Sequence, residues 1–271
     1  MSKSVNDIQS EVFKNLINAL LRPQNVEISA LSDLNQGTAL LKFAQVLLGE
    51  TIEGWKEIPD NWKGKIMFKQ RIVSQVTANF QVLQKHLATK DKSFKFINAP
   101  ESEKDLIGLV WLIISKFYVV QPKRNLVNII SDHLKDFTPS VEITNMGSSW
   151  ENGLPFIALL SKSSNGTIEY ADKGNAKSNC DYIKESCDKL SIPFVLTENC
   201  ISDQLDENCI CIQAAAILKT MSEPEVEKSS EEKKEPEKKE ISSQPQTQQQ
   251  QNKNDDEKKK FDTKIEDYKK V

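Results

Sequence analysis

The residue types that most often carry catalysis are few in this chain and form no recognisable reactive site. Of 271 residues only two are histidines, His86 and His133, and neither stands beside a serine or cysteine in the context of a nucleophile. Cys209 and Cys211 are too closely spaced, and too far from any histidine, for the usual zinc patterns. The sequence contains no glycine-rich phosphate loop and no calcium-loop spacing. We therefore predict that the protein is not an enzyme and binds no metal or cofactor.

The five cysteines have another chemistry open to them, since thiols can respond to oxidants. All five lie in the second half of the chain, and the start of the chain lacks the apolar core of a signal peptide. An odd number of cysteines without an export signal is typical of reduced thiols in the cytosol. We expect small buried thiols here, and a redox-responsive protein is the rival interpretation.

Cations that could meet an acidic partner are concentrated in two places. Over the whole chain the formal net charge is −3 and the pI is about 5.7, so no overall basic field points to nucleic acid. One place is a basic patch, for which a solvated face and an electrostatic contact are equally expected. The other is a pair that follows Gln121-Pro122, a dipeptide that breaks the helix and should present both cations to solvent. The patch consists of Lys63, Lys65, Lys69 and Arg71, and the pair is Lys123 and Arg124.

One stretch of the chain occurs twice at a constant distance. It opens with Trp150, continues through Asn152-Gly153 and runs as an apolar segment to Leu160. A single offset of 116 residues aligns it with an earlier stretch that begins at Leu34. A constant offset over apolar positions predicts an internal duplication, and the chain is long enough for two domains that each bury a core. The aligned pairs are Leu34 with Trp150, Gly37 with Gly153, Leu40 with Phe156, and Leu41 with Ile157.

Apolar residues recur at helical spacing through most of the chain before residue 222. Asp105–Val119 is apolar nearly all round, which predicts the buried central helix of the first domain. The longest apolar run, Leu106–Ile114, is too short to span a bilayer. The pattern predicts an all-α protein with helices at about residues 8–21, 40–47, 73–87, 105–119, 126–134, 151–160, 175–190 and 206–221.

The composition changes abruptly at Ser222. Residues 222–271 hold 12 Lys and 14 Asp or Glu, a glutamine run at 248–251 and almost no apolar residues. Such a segment cannot bury enough apolar surface to offset its ordering entropy. We predict a disordered tail, for which a partner is unknown.

Short motifs in both halves of the chain resemble a known family of actin-binding regions. Those of the second half are Val141-x-Ile143-x-Asn145-Met146, Ser149-Trp150-Glu151-Asn152-Gly153-Leu154, Ile192-Pro193 and Asp206-Glu207. Those of the first half are Asp33-Leu34, Gly37, Gly49 and Ile107-Gly108-Leu109-Val110-Trp111. From residue 8 to residue 221 the succession resembles the tandem calponin-homology regions of the α-actinin, spectrin and filamin group. The chain departs from the family's Asp-Gly motif at Gln36-Gly37 and Asn152-Gly153.

The resemblance implies an all-α architecture with two tandem calponin-homology domains, residues 8–120 and 121–221, followed by the disordered tail at 222–271. It implies a non-enzymatic protein that binds filamentous actin and organises the cytoskeleton, located in the cytoplasm at the cytoskeleton or the cell cortex. A phosphoinositide membrane surface is a further partner left open, and nucleic acid is not expected. The alternative is a signalling or membrane-cortex adaptor of the same fold with weak or no actin binding, which the departures from the family pattern support.

The resemblance also implies where actin contacts arise: on the first helix, on the last helix of the first domain, and at the connection between the domains. At Asn208 the family commonly has a lysine that can reach the first domain, so we expect a looser closed arrangement here than in relatives. The candidate actin-binding residues are Lys14, Asn15, Asn18, Ile107, Leu109, Lys116, Tyr118, Val120, Lys123 and Arg124. For Ile107, Leu109 and Trp111 taken individually, a place in the core is the favoured alternative.

Overall fold

Helices make up most of the described part of the chain. The computed structural model describes residues 4–92, 94–95, 99–202 and 206–222. These residues contain eight α-helices, several short 3₁₀ turns and no strand, which confirms the all-α prediction. The helices are α1 (Val5–Leu21), α2 (Thr38–Leu48), α3 (Lys69–Lys90), α4 (Glu103–Ile114), α5 (Lys123–Leu134), α6 (Leu154–Ser163), α7 (Ala176–Lys189) and α8 (Glu207–Ser222).

Side chains at the helix starts explain where three of these helices begin. α1 follows Ser4, whose hydroxyl accepts a hydrogen bond from the Asp7 N–H at 3.2 Å, while the Asp7 carboxylate accepts one from the Ser4 N–H at 2.9 Å. Ser102 and Asp105 form the same reciprocal pair at the start of α4, and the Asn175 side chain caps α7. These bonds satisfy N–H groups that have no partner inside the helix, and each cap stabilises its helix by about 1 kcal/mol.

The two copies of the repeated stretch have the same local structure. In each, a 3₁₀ turn leads to a glycine with a positive φ angle, and an α-helix starts at the next residue. Gly37 (φ 78°) precedes α2, and Gly153 (φ 73°) precedes α6. A Cβ atom at Gly153 would lie 2.9 Å from side-chain atoms of Ile183 and Ile201, and one at Gly37 would lie 3.1 Å from the Cβ of Asn79. Both the φ angle and the close approach require glycine, which explains why these positions align.

Each half also contains a fully buried asparagine that holds a loop in place. The Asn79 side chain on α3 accepts a hydrogen bond from the Lys56 N–H at 3.1 Å and donates one to the Lys56 carbonyl at 2.9 Å. The Asn179 side chain on α7 accepts from the Lys173 N–H at 2.7 Å and donates to the Asn152 carbonyl at 2.9 Å. A fully buried side-chain amide needs such partners, because an unpaired buried donor or acceptor is costly.

The predicted central helix is buried along most of its length and ends differently from the prediction. Gly108 and Lys116 are exposed, so the helix is not covered all round. α4 continues as a π-helical turn, Ser115–Val119, and Val120 then takes a φ angle of 66°. A positive φ angle is strained for a β-branched residue, and such strain is concentrated at functional sites. The buried residues of α4 are Leu106, Ile107, Leu109, Val110, Ile113 and Ile114.

The run Glu103–Leu134 is long and apolar enough to cross a membrane by length and composition alone. The helix is interrupted between Val119 and Lys123, where the backbone leaves the helical conformation. On both sides of the interruption, the apolar side chains of α4 and α5 lie in the protein core. We therefore interpret the run as two core helices joined by a short connection.

All described residues belong to one compact unit, within which the predicted domains 8–120 and 121–221 pack against each other. The division into these two domains stays a prediction. The predicted disordered tail lies outside the described residues, apart from Ser222 at the end of α8.

Candidate functional site

The connection between α4 and α5 is the most exposed of the places where actin contacts are expected. Val120 is 61% exposed, although it follows two buried residues. Pro122 caps α5 without a side-chain hydrogen bond, and Lys123 and Arg124 form the exposed first turn of that helix. Cations at a helix N-terminus oppose the helix dipole, at a cost of roughly 0.3–1 kcal/mol each. An arrangement that is locally unfavourable for stability indicates a site kept for binding.

One of these cations is paired and the other is not. The Lys123 Nζ lies 2.7 Å from Glu207 Oε2, and both side chains are largely exposed. Within the described part of the chain Arg124 forms no ion pair. Lys116, also exposed, pairs with Asp91 at 2.7 Å. Exposed ion pairs contribute little to stability, so Lys116 and Lys123 can exchange these carboxylate partners for carboxylates of another molecule.

A small cavity of about 210 Å³ lies beneath the connection. Its lining combines apolar side chains, among them Trp111 and Val119, with the stems of Lys116 and Lys123. We define the junction surface as Lys116, Val120, Lys123 and Arg124. It offers an exposed apolar side chain among cations, with a concave apolar recess beside it.

The α1 candidates have different environments. Asn18 donates to the Ile28 carbonyl at 2.9 Å and accepts from the Ile28 N–H at 2.8 Å, and Asn15 donates to the Val195 carbonyl at 3.1 Å. Both amides are therefore used to hold loops of this chain. Lys14 is half-buried and lines a surface cavity of about 440 Å³.

Three candidates on and after α4 are buried. Ile107 and Leu109 belong to the core, and Tyr118 is only 4% exposed. The Nζ atom of Lys219 lies 3.5 Å from the centre of the Tyr118 ring, so α8 of the second half covers this tyrosine of the first half. Burial raises the pKa of the Tyr118 hydroxyl and lowers the pKa of the Lys219 ammonium group. Tyr118 can reach a partner only when the two halves separate.

Polar contacts hold the two halves together in the observed closed arrangement. Gln9 on α1 donates to Asp206 Oδ2 at 2.8 Å, and the Asn15–Val195 hydrogen bond lies at the same interface. Trp111 on α4 stacks on Phe13 of α1 with ring centres 6.2 Å apart. The sequence reasoning missed Lys219 as the cation at this interface. No local pattern could have found it, because Tyr118 and Lys219 are far apart in sequence.

The cysteines lie in the core. All five are free and buried. Burial raises the pKa of Cys180, Cys187 and Cys211 to about 12 each, and a hydrogen bond with Cys200 and burial raise that of Cys209. A hydrogen bond from Cys209 lowers the pKa of Cys200, which is itself buried. Reactive thiols are exposed thiolates, so these environments favour inert cysteines. Among the described residues, no group of three or more potential ligands could hold a metal ion.

Comparison with known families identifies the second half. Residues 120–222 match the family model of the calponin homology (CH) domain. The chain carries a calponin homology domain. The match begins at Val120 in the junction surface and includes α5 to α8, which confirms the resemblance drawn from the motifs of the second half.

Two known proteins are similar over most of the chain. Over 237 residues the chain is 25% identical to the erythrocytic spectrin beta chain of Mus musculus. The alignment covers 81% of this chain and 11% of the spectrin chain. The crystal structure of the actin-crosslinking core of Schizosaccharomyces pombe fimbrin superposes with a TM-score of 0.58 at 14% identity, over 80% of this chain and 49% of that one. The chain thus spans about a tenth of the spectrin chain and about half of the fimbrin core. The fimbrin likeness shows the fold.

Proposed function

We propose that the protein is a non-enzymatic actin-filament binder of the cytoplasm, located at the cytoskeleton or the cell cortex, built from two tandem calponin homology domains at residues 8–120 and 121–221. Three observations support this. The second half is a calponin homology domain. The two halves share the glycine and asparagine features described above. The fimbrin fragment of the same fold is an actin-crosslinking core.

The junction surface carries the proposal, because it is the one candidate region that is exposed as a whole. Lys116 and Lys123 line the same cavity as Val120, and Arg124 follows Lys123 in the first turn of α5. The exposed Val120 side chain would be stabilised by burial against a partner. Clustered cations favour association with an acidic surface by raising the encounter rate. An apolar centre with a polar rim is the usual anatomy of a protein interface. Lys14 on α1 lines a separate cavity at the start of α4 and is proposed as a further contact outside the junction surface.

The buried candidates require a change in the closed arrangement. Tyr118 is covered by α8, and Ile107 and Leu109 belong to the core. We propose that filaments bind an open arrangement in which the second half has moved off Tyr118 and the Asn15–Val195 hydrogen bond is broken, while Asn18 still holds the Ile28 loop against α1. The apparent affinity is then reduced by the fraction of molecules that are open.

Filament cosedimentation over a series of salt concentrations tests the proposal. Arg124→Glu and the double variant Lys123→Glu/Arg124→Glu should bind several-fold more weakly than the wild type and lose part of the salt dependence. The single variant leaves the Lys123–Glu207 pair in place, so its effect cannot come from breaking that pair. Lys135→Glu/Lys177→Glu, which reverses two exposed charges elsewhere in the second half, should bind like the wild type. Circular dichroism verifies that each variant is folded.

A second candidate function is an adaptor with the same fold and little actin affinity. The observation that favours it is the burial of Tyr118, Ile107 and Leu109 together with the internal hydrogen bonds of Asn15 and Asn18. If the wild-type chain stays in the supernatant with filaments at every salt concentration, the adaptor function replaces the filament binder. If wild type and double variant pellet equally, the chain binds filaments through another surface.

A further inference from the structure

A second surface, separate in sequence from the junction surface, exposes large apolar side chains to solvent. Ile66 is 91% exposed and Met67 is 78% exposed, in the 3₁₀ turn that leads into α3. Val73, in the second turn of α3, is 57% exposed. Two neighbouring side chains of this size, each more than three-quarters exposed, are unfavourable in water. Clustered exposed apolar groups indicate an interaction site.

The same segment has an unusual charge distribution. Residues 61–90 contain five lysines, one arginine and no aspartate or glutamate, although the whole chain has a formal net charge of −3. Asp60 and Asp91 are the nearest acidic residues on either side. The basic side chains closest to Ile66 and Met67 are all exposed. They are Lys63, Lys65, Lys69 and Arg71.

An aromatic pair holds the apolar side chains at the surface. Trp62 stacks on Phe68 with ring centres 5.4 Å apart, and the Arg71 guanidinium lies 5.9 Å from the centre of the Phe68 ring. Both aromatic rings are half-buried, whereas Ile66 and Met67 between them point away from the protein. The aromatic pair therefore packs on the protein side of the loop, while Ile66 and Met67 face the solvent near exposed cations.

We propose that residues 62–73 form a docking surface for an anionic phospholipid membrane, with Ile66 and Met67 inserted at the boundary of headgroups and acyl chains. Side chains that project from the surface need no matching cavity in a bilayer, whereas a rigid protein partner would have to supply one. The neighbouring cations bind the headgroup phosphates and carboxylates, and each contributes a factor of roughly five to membrane binding. Tryptophan at the rim and a basic border around apolar residues are typical of interfacial segments.

Two variants separate the apolar from the electrostatic part. Ile66→Ser/Met67→Ser removes the inserting side chains and should weaken binding about tenfold or more. Lys65→Gln/Lys69→Gln removes two charges and should weaken binding roughly 25-fold. These lysines are chosen because Lys63 pairs with Asp60 and Arg71 stacks on Phe68, so that their replacement would disturb the loop itself.

The experiment is flotation of the 271-residue chain with phosphatidylcholine vesicles, with and without about 30 mol% phosphatidylserine. The wild type and the control Lys135→Gln/Lys177→Gln should float with the anionic vesicles at low salt, and the wild type should not float with pure phosphatidylcholine. Both patch variants should bind the anionic vesicles more weakly than the control. Circular dichroism verifies that the variants are folded.

Three outcomes would overturn the proposal. The wild type could bind both kinds of vesicle equally or neither of them. The patch variants could bind anionic vesicles as the wild type does. In the third, the patch variants would pellet poorly with actin filaments while their vesicle binding stays intact, which would assign the patch to the filament instead. Because filament binding is measured separately, failure of the membrane proposal does not affect the proposal that the junction surface binds filaments.

Discussion

Replacing Lys219 with methionine should shift the protein towards an open arrangement of its two halves. The Lys219 ammonium group lies 3.5 Å from the centre of the Tyr118 ring, on opposite sides of the interface. Methionine keeps most of the apolar stem and removes only the charge. Cation–π contacts contribute roughly 0.5–2 kcal/mol. Burial lowers the pKa of Lys219, which means that the charged form has lost solvation, so we expect a net loss of about 1 kcal/mol.

A loss of that size raises the ratio of open to closed molecules roughly five-fold. If open molecules are a minority and filaments bind only these, the apparent affinity for actin should rise by the same factor. Small-angle scattering measures the mixture of compact and extended shapes, and cosedimentation measures the affinity. The matched control is Lys173→Met, because Lys173 lies 4.2 Å from the centre of the Tyr182 ring and both residues belong to the second half. This control should change neither the scattering nor the affinity.

Two results would refute the reasoning. If Lys219→Met scatters like the wild type, the contact with Tyr118 does not hold the halves together. If it opens the protein without raising the affinity, the surface under α8 is not part of the filament site.

Three further predictions concern stability and reactivity. Asn79→Ala and Asn179→Ala should each lower the free energy of unfolding in denaturant by about 2 kcal/mol, because each removes two hydrogen bonds that a buried amide makes to a loop, at about 1 kcal/mol each. A neutral result for either would refute the equivalence of the two asparagines. Hydrogen bonds from Lys90 and His86 hold the pKa of Glu50 below 4.5, so the stability that Glu50 contributes is present above pH 4.5 and is lost as the pH falls through the lowered pKa. Wild type should therefore lose more stability than Glu50→Gln on acidification from about pH 6 to pH 3, and parallel pH profiles would contradict this. The five buried cysteines should react with a thiol reagent only on unfolding, and rapid labelling of native protein would restore the redox interpretation.

The sequence predicts the helices well where local rules decide them. Apolar spacing places all eight helices, and the alignment of Gly37 with Gly153 anticipates two positions where only glycine fits. The end of α4 is different. Nothing local indicates that Ser115–Val119 forms a π turn or that Val120 takes a positive φ angle, which a valine rarely adopts.

Which candidate residues are exposed is hard to predict from the sequence, because burial is a property of the whole fold. The motif Ile107–Trp111 has the same sequence whether its side chains face a partner or the core, and the structure places Ile107 and Leu109 in the core. The contact of Lys219 with Tyr118 depends on how two halves pack. The sequence also did not predict that Ile66 and Met67 are exposed, because large apolar residues are most often buried.

Cross-linking of filament-bound protein with a zero-length carbodiimide tests actin binding and its location together. The reagent joins lysines to carboxylates in direct contact, and mass spectrometry identifies the joined residues. We expect cross-links between actin carboxylates and the lysines of the junction surface, Lys116 and Lys123, together with Lys14 on α1. The absence of any cross-link to actin, or cross-links confined to the exposed lysines of α7 such as Lys177 and Lys184, would contradict the proposed site.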